Sequence, residues 1–155
     1  MKKVIFLLMA VASISFNACK KTEAVTEFSN LPIGAITTLK TGTVTQQNAP
    51  NTPPTSGTLS VIQDSKGTQF LKLDANFTSG FTTGTVAVYF AKTNEEIKVQ
   101  RNGGTTPTNV LALGFVGKAG EKYFPLSNAG LFTGFSYVVF YCEAAEVNFG
   151  SAPLN

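Results

Sequence analysis

Few atoms in this chain can do chemistry. The sequence holds two cysteines, Cys19 and Cys142, no histidine and no tryptophan, and both methionines fall in the first nine positions. A Ser/His/Asp triad, a His zinc site, His- or His/Met-ligated haem and a blue-copper centre all need side chains that the chain lacks once its first residues are set aside. A thiol retains three uses: it can carry a lipid thioether, exchange electrons, or fill a core as a small hydrophobe. Cys19 closes an apolar leader and suits the first use. Cys142 ends an apolar strand, and its residue type leaves the second and third both open. No metal site, no cofactor and no enzymatic activity are expected.

The carboxylates add little. Glu95 and Glu96 are adjacent, so on an extended backbone they point apart and cannot act as a hydrolytic pair. Asp64 and Asp74 sit in or near turns, where Asp caps backbone amides more often than it binds calcium. Asn102-Gly103-Gly104 is turn chemistry rather than a phosphate cradle, because no helix follows it. Asn76-Phe77-Thr78 satisfies the N-glycosylation pattern, a weak signal.

The elements that hold these groups begin with a leader. Met1-Lys2-Lys3 is a positive n-region, and Val4 to Phe16 is an apolar run too short to span a bilayer. Phe16-Asn17-Ala18-Cys19 puts a small residue directly before a cysteine, and Phe16 is too large for ordinary signal peptidase. The arrangement resembles the relaxed lipobox of Bacteroidota-type lipoproteins. The resemblance implies a diacylglyceryl thioether and an acylated amino group on Cys19, anchoring the protein stably where one acyl chain would be marginal. Its localisation is then the bacterial outer membrane, its first partner the membrane itself. Removing 18 of 155 residues leaves 137, enough for one cored domain, with 10 basic against 9 acidic residues. Such a balance offers no clustered basic face, so no nucleic-acid partner is expected.

Residues 19–34 read as a lipidated tether, and residues 35–155 as the domain. Its composition of Thr, Val, Phe, Gly and Asn, broken by turn residues, predicts an all-β fold of about eight short strands, an antiparallel sandwich or jelly-roll-like barrel. The strands fall near 35–45, 58–63, 69–74, 84–91, 109–116, 121–126, 134–142 and 145–150. Leu59 and Val61, Leu71 and Leu73, and Val86, Val88 and Phe90 each share a face. Asp64 to Gly67 predicts a tight hairpin, and Gly117 to Gly120 a second one. Two polar loops interrupt the strands, 45–57 with its three prolines and 92–108 with Glu95, Glu96 and Arg101. Loops of that length carry function or lack order more often than not.

Cys142 lies two residues past Phe140 and four past Val138, so the three share a face, while Tyr137, Val139 and Tyr141 take the other. If the first face is the core, the thiol is buried, the commonest place for a free cysteine. Eleven Phe outside the leader and four Tyr supply more rings than inner faces obviously need. Phe77, Phe81, Phe132 and Phe135 are expected to cap the core, with a surface aromatic platform as the alternative.

The block from Phe135 through Tyr141-Cys142 to Phe149-Gly150-Ser151-Ala152-Pro153-Leu154 resembles the end of the DM-thirteen domain family, the electron-transfer DM-thirteen domain. Upstream, Thr41-Gly42-Thr43, Ser56 to Val61, Phe70 to Leu73, Val86 to Phe90 and Leu113-Gly114-Phe115 follow in that family's order, so the similarity runs from about Thr38 to Leu154. Departures stand at Thr82 to Thr85, where an aromatic or Pro-Asp step is usual, and at Tyr141, where Trp often precedes the cysteine. The resemblance implies a β-rich envelope module in which Cys142 takes part in redox or electron transfer. The alternative is a module that binds a glycan or protein through loops 45–57 and 92–108 or exposed aromatics.

Overall fold

The computed structural model describes residues 31–81, 86–101, 109–117 and 119–155. Cys19, the leader, most of the tether, the Asn102-Gly103-Gly104 run and Thr82 to Thr85 lie outside them. Nine strands are present: β1 (Thr37–Gln46), β2 (Thr55–Gln63), β3 (Gln69–Leu73), β4 (Thr78–Ser79), β5 (Val86–Ala91), β6 (Val110–Val116), β7 (Lys122–Pro125), β8 (Tyr137–Cys142) and β9 (Val147–Pro153). One short helix, α1 (Ile97–Arg101), and a 3-10 turn at Leu131–Gly134 complete the described elements.

All pairings are antiparallel, and the strands run β6-β5-β8-β9-β1-β2-β3-β7, with the two-residue β4 beside β2. The path curls into a nearly closed barrel, the barrel form of the expected all-β fold. Single-residue register shifts in the β1–β2, β5–β6 and β8–β9 ladders mark bulges, which bend strands and tighten their twist.

Inside the barrel the period-two faces meet as their spacing requires. Leu59, Val61, Leu71, Leu73, Val86, Val88, Phe90, Val138 and Phe140 are buried together. Phe77 stacks on Phe140 at 5.0 Å between ring centroids, Phe90 on Phe135 at 5.8 Å, and Phe81 leans on Phe149 at 5.0 Å. The rings flanking the turns therefore cap the core. Among the described aromatics only Phe115 is a large exposed one.

The first hairpin forms as its residues dictate. Gly67 takes a positive φ of 83° and donates to the Asp64 carbonyl at 3.0 Å. The second does not form. β6 pairs with β5, and β7 crosses to pair with β3, so Gly117 to Gly120 links the two ends of the sheet. Those ends meet through side chains: a Cβ on Gly114 of β6 would lie 3.2 Å from the Phe124 ring of β7. A turn has the same residues whichever partner its second strand takes, and the β3 edge was the unpaired partner.

β5 and β8 are buried on both faces. One faces the barrel interior, and the other carries Ala87, Tyr89, Ala91, Val139 and Tyr141 beneath Ile97 of α1. The helix lies inside the segment expected as the loop 92–108, and at five residues it is too short to leave a periodic signal.

Candidate functional site

Cys142 is the last residue of β8, 6% exposed and packed with Val138 and Phe140 in the barrel core. Its ladder partner is Val147, and the turn between them brings the Ala145 N–H to its Sγ at 3.4 Å. That contact gives the sulfur one backbone donor. Cys142 is the one free cysteine among the described residues.

On the opposite face of the same strand end stands a polar cluster that sequence reading missed. Arg101, the only arginine in the sequence, reaches back from the end of α1 and binds Glu143 with both terminal nitrogens, Nη1 to Oε2 at 2.9 Å and Nη2 to Oε1 at 2.6 Å. Such forked pairs are the stronger form of charge-assisted hydrogen bond. The guanidinium also lies 4.8 Å from the Tyr89 ring centroid and 5.3 Å from that of Tyr141, within cation–π range. The two rings meet edge to face at 6.2 Å. The Tyr89 hydroxyl donates to Glu143 Oε1.

The electrostatics follow from these contacts. Hydrogen bonding to Glu143 raises the Arg101 pKa, against a smaller opposing effect of burial. Burial raises the Tyr141 phenol, and the Arg101 charge only partly offsets it. Glu143, which follows the thiol in sequence, turns its carboxylate to Arg101 and Tyr89. The only available signal for this cluster was the uniqueness of Arg101, because Tyr89, Arg101 and Glu143 are far apart along the chain.

The structure joins the beginnings of the two long loops. Asn48 Nδ2 donates to Glu96 Oε1 at 2.6 Å, and Gln47 Nε2 to the Asn94 carbonyl at 2.8 Å. Asn148 of β9, 1% exposed, fastens both. Its Oδ1 accepts from Ile97 N at 3.2 Å, its Nδ2 donates to the Glu95 carbonyl at 3.0 Å, and its own N–H donates to Glu96 Oε2 at 2.8 Å. Glu96 is thus a structural bridge, and Glu95 remains exposed.

Asp64 behaves as a turn cap. Its Oδ1 accepts from Lys66 and Thr68 N–H groups, both at 2.9 Å, and its Oδ2 from Ile33 N at 3.1 Å. Burial raises its pKa, but these three donors together outweigh that and leave it below the ordinary value. Asp74 accepts the Thr58 hydroxyl at 2.7 Å and pairs with Lys72 at 3.3 Å. Asn76 Oδ1 accepts the Thr58 N–H at 3.0 Å. No group of three or more His, Cys, Asp or Glu gathers as metal ligands among the described residues.

A nearly closed antiparallel barrel, with a buried thiol at a strand end and an Arg–Tyr–Glu cluster behind it, defines a small all-β module. Residues 48–154 match the family described as Electron transfer DM13, and the chain belongs to that family, the DM-thirteen domain. The match begins ten residues after Thr38, where the resemblance starts, and it includes Cys142. No curated protein and no solved structure matches the chain.

Proposed function

We propose that the chain is an envelope lipoprotein, anchored to the outer membrane through lipidated Cys19, whose DM-thirteen domain serves as a redox or electron-transfer accessory and not as an enzyme. The observation that carries this reading is the position of Cys142 within the matched family region. Cys142 is 6% exposed at a strand end, with the Ala145 N–H directed at its Sγ. It is shielded from bulk oxidants, yet lies one turn from the surface. Support for the anchor comes from the apolar side chains exposed where the tether meets the domain: Leu31, Ile33, Ile36 and Leu39, Leu31 by 64%. The test is voltammetry and intact mass of the purified full-length protein. A reversible couple that disappears in Cys142→Ala, with acyl mass on Cys19, is the expected result. An electrochemically inert protein overturns the redox role, and an unmodified Cys19 overturns the anchor.

A second reading, a binding module for a glycan or protein, is favoured by the junction of the two loops through Asn48, Glu96 and Asn148. Capture of a defined glycan that is lost on changing Gln47 or Glu95, in a protein with no thiol couple, would replace the first reading with this one.

A further inference from the structure

We propose that Tyr89 is a second redox site, one that releases an electron and a proton together, with Glu143 as its fixed proton acceptor. The inference rests on the electron-transfer reading and adds to it a group other than the thiol.

A phenol is oxidised most readily when its proton leaves with the electron, and a base already in contact can accept that proton in the same step. Tyr89 has one: its hydroxyl donates to Glu143 Oε1. Arg101 grips both oxygens of that carboxylate and keeps it aimed. The site is dry at the ring and wet at its rim. Tyr89 is 5% exposed and Tyr141 1%, while the side chains of Arg101 and Glu143 are 34% and 41% exposed. Ala87, Ala91, Ile97 and Val139 wall the rings, which protects a phenoxyl from solvent and from coupling to a second ring outside. Tyr141, edge-on at 6.2 Å, is a close neighbour for electron exchange and is followed in the chain by Cys142.

The Tyr89 O–H bond breaks, its proton forms an O–H bond on Glu143 Oε1, and one electron passes to an outer-sphere oxidant of the metal-complex class. The products are a neutral Tyr89 phenoxyl, a protonated Glu143 and the oxidant reduced by one electron. A one-electron reductant reverses every part. Tyr123 supplies an internal comparison, because its phenol also bonds a carboxylate, Glu121, with Lys72 at 5.9 Å from its ring, but it is only half-buried.

The experiment is flash photolysis of the full-length protein with a ruthenium polypyridyl oxidant, read by phenoxyl absorption and electron paramagnetic resonance. Wild type and Cys142→Ser should both form a phenoxyl. Tyr89→Phe should lose it, Tyr123→Phe should keep it, and Glu143→Gln, which holds the hydrogen bond but removes the base, should lose most of its yield with an unchanged circular dichroism spectrum. A phenoxyl that survives Tyr89→Phe and vanishes in Tyr123→Phe overturns the proposal, as does a Glu143→Gln yield equal to wild type. A thiol couple without any Tyr89 phenoxyl defeats this inference and leaves the thiol reading standing. A phenoxyl in Cys142→Ser, with no thiol couple in wild type, does the reverse.

Discussion

The guanidinium of Arg101 lies 5.3 Å from the ring of Tyr141, the residue directly before Cys142. The only arginine of the chain is thus fastened to the strand that carries the domain's thiol, and α1 is held down at its last residue. Replacing Arg101 with Ala removes two cation–π contacts and a half-exposed forked ion pair, and we expect a loss of about 1–2 kcal/mol. Urea denaturation measures it. Arg101→Lys should recover only part, because an ammonium cannot make the forked contact while stacking on a ring. Full recovery by Lys would show that charge alone suffices.

Cys142 should resist thiol reagents in the folded protein and react promptly once the chain is denatured, given its 6% exposure. Cys142→Ala should cost about 1 kcal/mol for the lost packing, whereas Cys142→Ser places a hydroxyl among Val138 and Phe140 and should cost about 1–3 kcal/mol. Paired chemical denaturation of the two variants checks the order. A Ser variant as stable as the Ala variant would show that water reaches the site.

Asp64 makes stability sensitive to acid. Its three backbone donors hold its pKa below the ordinary aspartate value, so the folded state holds its proton more weakly than the unfolded chain does. The contribution is therefore complete above the unfolded value and is lost as pH falls through the folded one. Thermal melts of wild type from neutral pH downward should drop through that window. Asp64→Asn should flatten the drop and lower the melting temperature at neutral pH.

Asn148→Ala should release the loop junction. It removes one acceptor and two donor hydrogens from a residue 1% exposed, leaving the Ile97 N–H without its partner. A cost of about 1–3 kcal/mol follows from leaving buried groups unpaired. Amide exchange should quicken at Ile97 and stay slow at Val61 and Leu71. Equal acceleration in both regions would mean that the junction and the barrel unfold as one unit.

The inner faces were legible because a strand's period is short and its residues answer to one neighbour layer: Leu59 with Val61, Leu71 with Leu73, and Val88 with Phe90 all point inward as their alternation requires. The Asp64 turn was legible because its chemistry is local. The partner of β7 was not, since Gly117 to Gly120 fits either a hairpin or a crossing. Nor was the second buried face of β5 and β8, because Tyr89 and Tyr141 suit water and core alike. The Arg101 cluster joins three segments remote in sequence, and nothing local to any one of them signals the other two.

The barrel's seam is closed by a ring and not by a ladder. Every neighbouring pair along the β6-to-β7 path shares backbone hydrogen bonds, but the two end strands meet through Phe124 lying against Gly114. Main-chain ladders must be broken together, whereas a ring can swing out alone. Opening therefore has a preferred line, and the first parted form bares the β6 edge beside the exposed Phe115 ring. An unpaired edge next to an apolar ring invites another chain to pair with it. That makes the Gly114–Phe124 contact a guard against self-association as much as a piece of the core.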